Sequence, residues 1–246
     1  MLHFEDRGVG RPLLLIPGAL GSGQTDFGPQ LEEFSKRFRV IAPDPCGYGR
    51  SRPPRRDFSG NFLERDALDM AGLMRSLGHQ AYLVAGWSDG ANAAALLALA
   101  EPDRVQRLVV WGGNSFVSAE EIEIYRAMEP ISTWSERIRQ VLEAVYGDEL
   151  QGLWSAWCSR MEDIFRSGGE LYRNRLPQIR CPTLILHGEK DPLVPAFHPR
   201  VLVEEIPGAR LEVFSEGKHN LHLRHASEFN RRVLAFLEAE TTDEHR

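Results

Sequence analysis

The sequence predicts an α/β fold: a mostly parallel central sheet flanked by helices, interrupted by a helical cap insertion. Three observations carry that prediction. Short, continuous apolar runs occupy residues 13–16, 40–42, 82–85, 108–111, 184–187 and 211–214, and runs of this kind fit strands covered on both faces. Stretches of helical length separate most of them, and such alternation implies right-handed crossovers between parallel strands. The 246 residues suit one domain, or one domain plus an insertion, and are ample for a full hydrophobic core.

Taken in order, the run at 13–16 leads into Pro17-Gly18-Ala19-Leu20-Gly21-Ser22-Gly23, a glycine-rich loop whose backbone can approach a ligand. The run at 40–42 leads into a second glycine-rich turn, residues 44–51, read as structural. Residues 62–77 place Phe62, Leu63, Ala67, Met70, Leu73, Met74 and Leu77 on one helical face that stops at Gly78. The run at 82–85 passes straight into a helix over 88–100, which ends before Glu101-Pro102. Between Trp111 and Thr183 the rhythm breaks: no strand is legible, and helical patterns carry Trp134, Trp154 and Trp157. Residues 115–178 are therefore expected to form a helical cap, with 1–114 and 179–246 as the core. In an open α/β sheet such an insertion can sit over the carboxyl ends of the strands, where ligands bind. An amphipathic helix over 226–238 closes the fold, and 241–246 reads as a frayed tail.

Composition narrows the function. Lys and Arg number 29 against 35 Asp and Glu, for a net charge of −6. That balance argues against a nucleic-acid partner and against a polybasic membrane anchor. Cys46, Cys158 and Cys181 are too scattered for a disulfide framework or a metal site, and point to a reducing compartment. No apolar run precedes Leu13, and the longest apolar stretch, 91–100, is about half the ~20 residues of a membrane span. The expectation is a cytoplasmic protein without membrane association, acting on a small molecule. The sequence leaves oligomeric state open, with a monomer as the default.

Gly86-Trp87-Ser88-Asp89-Gly90 matches G-x-S-x-G between a strand and a helix, the context in which a serine is lifted out of a sheet as a nucleophile. The plainer reading of Ser88 is a helix cap. A serine nucleophile needs a base, and this motif calls for an acid and then a histidine further along the chain. Asp191 follows the run at 184–187 and His219 follows the run at 211–214, so all three leave one rim of one sheet. Glu189 and Asp163 are rival acids, but Glu189 lies too close to the strand end and Asp163 lies in the insertion. His219, His222 and His225 recur every three residues, yet no carboxylate or cysteine nearby completes a metal site, so no metal is expected. His187 is expected to pack at a strand end, while His3, His79, His198 and His245 have no usable context.

Acyl transfer also needs two backbone N–H donors for the tetrahedral oxyanion. One is expected from Asp89. The other is expected from the 17–23 loop, with Leu20 favoured and Ala19 close behind. A phosphate-binding role for that loop lacks the required Lys and Ser/Thr. Asp89 places a carboxylate beside the acyl site. Its plainer role is to complement the helix N-terminus; its functional reading is an anchor for a substrate α-ammonium, an interaction worth up to ~4 kcal/mol at an effective dielectric of 20 before desolvation. Ala19 is expected at the substrate. Trp134, Trp154 and Trp157, with Phe116 and Ile164, are candidates for an apolar pocket, Trp154 and Trp157 foremost, although any one of them can equally be core.

These elements together resemble the α/β-hydrolase family and, within it, the biphenyl hydrolase-like or valacyclovir hydrolase family. The resemblance rests on GWSDG, PGALGSGQTDFGPQL, GYGRSRPPRRDF, WSERIRQVLEAVYG, HGEKDPLVP and EGKHNLHLRHASEFN, and runs from about Leu13 to Leu237. It implies an α/β-hydrolase fold, hydrolysis of α-amino-acid esters, no cofactor, and Ser88, Asp191 and His219 as nucleophile, orienting acid and base. Against that family the chain starts late, so its first strand is expected to be missing or truncated. Cys46 stands where the wider family often has arginine, and Ala91 replaces a second glycine after Gly90. The alternatives are a general carboxylesterase, a C–C bond hydrolase whose anionic substrates sit badly with Asp89, and a non-catalytic ligand-binding homologue, which would be expected to have lost a triad member. Dehalogenases and epoxide hydrolases of this fold would carry aspartate at position 88.

Overall fold

The apolar runs become strands of one seven-stranded sheet in the computed structural model, which describes residues 2–239. The strands are β1 (Phe4–Arg7), β2 (Pro12–Ile16), β3 (Arg39–Pro43), β4 (Tyr82–Trp87), β5 (Val105–Trp111), β6 (Thr183–Gly188) and β7 (Arg210–Phe214). Their order across the sheet is β1-β3-β2-β4-β5-β6-β7, and every pairing is parallel except that of β1 with β3. All six expected strands are present. The seventh, β1, reads Phe-Glu-Asp-Arg and has no apolar run to announce it. An edge strand needs none: β1 pairs Phe4 with Pro43 through Arg7 with Val40, and Arg39 donates to the Asp6 carboxylate at 3.0 and 2.7 Å. β1 is thus a short antiparallel strand at the sheet's margin. The tail at 241–246, with His245, lies outside the described residues.

Burial on both faces explains the apolar text of β2 to β6, whereas β7, expected to be covered on both faces, lies at the other edge of the sheet with Val213 exposed. Leu13, Leu15, Val40, Leu83, Ala85 and Val109 face one layer, formed with Phe27, Leu31, Phe34, Phe229 and Val233. Leu14, Ile16, Ile41, Val84, Leu108 and Val110 face the other, formed with Met70, Met74, Ala94 and Leu97. Successive residues of a strand point to opposite faces, so each face must be apolar.

The helices follow the chain: α1 (Gly23–Asp26), α2 (Gly28–Phe34), α3 (Phe62–Ser76), α4 (Asp89–Ala100), α5 (Ala119–Met128), α6 (Glu136–Tyr146), α7 (Glu149–Arg166), α8 (Phe197–Glu205), α9 (Leu221–Arg224) and α10 (Ala226–Glu238). Helices α5, α6 and α7 lie between β5 and β6, with an isolated bridge, Phe116 to Glu170, where that segment leaves and rejoins the sheet. Ser115 reinforces the junction, since its carbonyl accepts the amides of Leu171, Tyr172 and Arg173 at 3.1–3.2 Å. The turn carrying Cys46 is held by Arg56, which donates to the Cys46 carbonyl at 2.9 Å and pairs with buried Asp66 at 2.6 Å. No described helix is long and apolar enough to cross a membrane.

Candidate active site

The turn between β4 and α4 is too tight for side chains on either flank. A Cβ on Gly86 would meet the Gly90 carbonyl oxygen at 2.1 Å, and one on Gly90 would meet that of Ile16 at 2.1 Å. Ser88 sits between them at φ 57°, a left-handed conformation that a non-glycine residue adopts only under constraint. It stands at the N-cap position of α4, but its side chain makes no capping bond. The plain capping role therefore does not describe it.

Asp191 leaves β6 and His219 leaves β7. Asp191 Oδ2 lies 2.9 Å from His219 Nδ1, while Oδ1 accepts the amides of Leu193 and Val194 at 2.8 and 3.2 Å. Burial alone would raise the Asp191 pKa, but the His219 charge, its hydrogen bond and the two amides outweigh burial and hold it below the usual carboxylate range. The loops are joined at their bases, with Glu189 N–H donating to the Phe214 carbonyl and Lys190 N–H to that of Gly217, each at 2.9 Å. The Trp87 indole, beside the serine, donates to the His219 carbonyl at 3.0 Å. Ser88 and His219 line one cavity of about 50 Å³ without a direct hydrogen bond to each other; such contacts often tighten only when substrate is bound.

Ala19, Asp89, Trp154 and Trp157 line the same cavity. Asp89 is 7% exposed, and its Oδ2 accepts the Trp157 indole N–H at 2.7 Å. Burial pushes its pKa up to about 6, against the opposing pull of that hydrogen bond and of the Arg56 charge. The Trp154 and Trp157 rings stack 4.6 Å apart with their planes 8° from parallel. Leu20 turns its side chain into the core, 3% exposed, at φ 63°. The amides of Ala19, Leu20 and Asp89 donate to no protein acceptor among the described residues.

Three expected pocket residues do not line the cavity. Trp134 packs edge-on against Trp154 at 5.2 Å and donates to the Met128 carbonyl, bracing the wall from outside. Ile164 shares the α7 face with Trp154 and Trp157 but lies two turns beyond Trp157, past the cavity's end. Phe116 stacks on Phe197 at 5.9 Å beside the insertion's junction. Met161 does line the cavity, as do Tyr125, Met128, Leu193 and Val194. Met161, Leu193 and Val194 were not among the expected pocket residues; the helical spacing Trp154, Trp157, Met161 was the signal for the first, and Leu193-Val194 follow Asp191 directly.

The three closely spaced histidines do not converge. His222 is wholly buried: Nδ1 accepts the Trp111 indole N–H at 3.0 Å, so Nε2 carries the proton and donates to the Asp26 carbonyl at 3.0 Å. Burial holds its pKa down at about 3. His187 is buried at its strand end, as expected, and His198, which had no context in the sequence, pairs with buried Glu121 at 2.8 Å.

Residues 13–232 match the sequence model of the alpha/beta hydrolase family. The chain is 47% identical over 241 residues to serine hydrolase BPHL of Mus musculus, and 46% identical over 244 residues to serine hydrolase BPHL of Homo sapiens. Each match covers 96% of this chain and 83% of the relative. Among solved structures, the meta-cleavage product hydrolase CumD from Pseudomonas fluorescens IP01 superposes with a TM-score of 0.79 at 26% identity, covering 96% of this chain and 93% of its own.

Proposed function

From the premise that the chain belongs to the alpha/beta hydrolase family, we propose that it is a serine hydrolase that cleaves carboxylic esters of α-amino acids through an acyl-enzyme. The observation that carries the substrate class is the Asp89 carboxylate, buried beside Ser88 in a cavity otherwise walled largely by Trp154, Trp157, Met161 and Val194. A buried carboxylate whose hydrogen-bonding partner among the described residues is the Trp157 indole favours a substrate that brings a cation, here the free α-ammonium. The stacked tryptophans and Met161 suit an apolar side chain or leaving group.

In this reading His219 Nε2 takes the Ser88 proton as Oγ attacks the ester carbonyl, and Asp191 orients the ring and stabilises the imidazolium. The amide of Asp89 and that of Ala19 or Leu20 stabilise the oxyanion. His219 returns its proton to the departing alcohol. Water, deprotonated by His219, then splits the aminoacyl ester and frees the amino acid and Ser88. Residues 115–178 serve as the cap over this site, and 1–114 with 179–246 as the core.

The test is hydrolysis of L-valine benzyl ester beside its N-acetyl derivative, by wild type and by Asp89→Ala. The expected result is a preference of about a hundredfold for the free amine, consistent with an ion pair of a few kcal/mol after desolvation, and its loss in the variant. Equal cleavage of both esters by wild type reduces the substrate class to carboxylic esters in general.

A further inference from the structure

The loop after β2 is gripped from two sides, and one grip comes from the inserted helices. On the core side, the Asp26 carboxylate accepts the Gly18 N–H at 3.0 Å and lies so close to Gly21 that a Cβ there would meet Oδ2 at 2.0 Å. On the other side, Tyr146, the last residue of α6, donates its hydroxyl to the Leu20 carbonyl at 2.8 Å and accepts the Gly49 N–H at 3.1 Å.

Between these grips the backbone is in a costly form. Gly21 N–H donates to the Gly18 carbonyl at 3.0 Å, so residues 18–21 form a β-turn with Leu20 in the third position at φ 63°. Positive φ there, without positive φ at Ala19, defines a type II turn, which ordinarily takes glycine or asparagine at that position. The type I alternative suits leucine better, but it turns over the peptide between Ala19 and Leu20 and reverses the Leu20 N–H. The two amides concerned donate to no protein acceptor among the described residues, and Ala19 faces the cavity.

We propose that Tyr146 is a positioning residue for the oxyanion-stabilising turn: its hydroxyl, bonded to the Leu20 carbonyl, anchors the peptide that follows Leu20 and so fixes where the turn stands against Ser88. The docking of the inserted helices thereby sets the geometry of a hydrogen-bond donor on the core. This rests on the assignment of the Ala19–Leu20 turn to the oxyanion.

Tyr146→Phe removes the hydroxyl alone. The ring keeps its edge contact with Tyr48 at 6.4 Å and its place beneath the Arg52 guanidinium at 5.0 Å, so α6 stays docked. The measurement compares kcat for L-valine benzyl ester with kcat for the matching thionoester, whose sulfur fits poorly where N–H donors are set for oxygen. For Tyr146→Phe, kcat on the oxygen ester is expected to fall about tenfold with KM within about twofold, and the oxygen-to-sulfur rate ratio to fall by a similar factor. Loss of the Gly49 acceptor lowers melting temperature without moving that ratio. An unchanged ratio, with or without a loss of rate, overturns the positioning role. A wild type that turns over both esters equally removes the oxyanion assignment itself and this proposal with it, and that failure is visible before any variant is made.

Discussion

The Trp157 indole donates to the Asp89 carboxylate at 2.7 Å, which joins a residue of the inserted helices to the acid beside the nucleophile. Burial drives the Asp89 pKa up to about 6, and this hydrogen bond opposes the rise by favouring the anion. Removing it in Trp157→Phe is expected to raise the Asp89 pKa further. At pH 6.5 a smaller fraction is then ionised, and the preference for free-amine esters is expected to fall about threefold or more, since a hydrogen bond to a charged group is worth about 1.5–3 kcal/mol. The preference recovers toward pH 8, so its pH profile, compared between wild type and variant, reads the effect directly.

The same acid shapes the wild-type profile. The free-amine preference is expected to rise as pH passes through about 6, where Asp89 ionises, and to fade above about 8 as the substrate amine loses its proton. The N-acetyl ester has no α-ammonium, so its profile carries neither limb of that preference. Profiles of the two esters that run parallel from pH 5 to 9 contradict the ammonium anchor.

Asp89 also costs stability. Its folded pKa lies above the ordinary carboxylate value of 3.8, so the anion is disfavoured by folding, and the cost grows as pH rises from about 4 to about 6 and is full above that. About two pKa units correspond to about 3 kcal/mol as an upper bound. Asp89→Asn keeps an acceptor for Trp157 and is expected to melt several degrees higher at pH 8. That gain is expected to vanish near pH 4, a dependence that calorimetry across pH resolves.

Asp191→Asn keeps the side chain's shape but changes what His219 Nδ1 meets at 2.9 Å. An amide there favours the wrong imidazole tautomer, and kcat is expected to fall by about 10⁴ with little change in KM. Steady-state kinetics and an unchanged circular dichroism spectrum together check this.

His222 predicts acid sensitivity. Its folded pKa of about 3 lies below the ordinary histidine value of 6.5, so the unfolded chain binds the proton first as pH falls. Its stability contribution is complete above about 6.5 and is lost at up to about 1.4 kcal/mol per pH unit toward pH 3. Asp26, whose pKa burial raises to about 7, works in the opposite direction over much of that range. Comparison of His222→Gln with wild type in urea unfolding isolates the histidine: the variant is expected to be less stable at pH 7 and to close that gap by pH 4.

How much was legible follows from where the information lies. The five inner strands declare themselves because each is covered on both faces, as with Leu13 and Leu15 on one side and Leu14 and Ile16 on the other; β7, at the far edge, was legible from Leu211, Val213 and Phe214 although it is largely uncovered. Strand β1 is not legible, because a half-exposed edge takes its register from the partner and not from its own hydrophobicity. Ser88, Asp191 and His219 were found from the strand ends they follow, and the structure brings all three to one rim. Trp134, Phe116 and Ile164 were chosen for being apolar in the right segment, but which face and which turn of a helix meets the cavity depends on docking. Tyr146 and Asp26 lie within stretches that carry the family resemblance, but nothing in either stretch announced a role: the tyrosine's partner, Leu20, is 126 residues away, and the two meet only once the inserted helices have docked on the sheet.

The cavity beside Ser88 measures about 50 Å³, far below the ~300–1,000 Å³ of ordinary ligand pockets. Its walls include Trp154 and Trp157 of α7 on one side and Ala19, Ser88 and His219 of the core on the other. An amino-acid ester seated beside Ser88 would need those two indoles to give way. Solvent viscosity tests whether that displacement limits turnover: a rate on a reactive ester that falls as viscosity rises is the expected outcome, and a rate indifferent to viscosity excludes it.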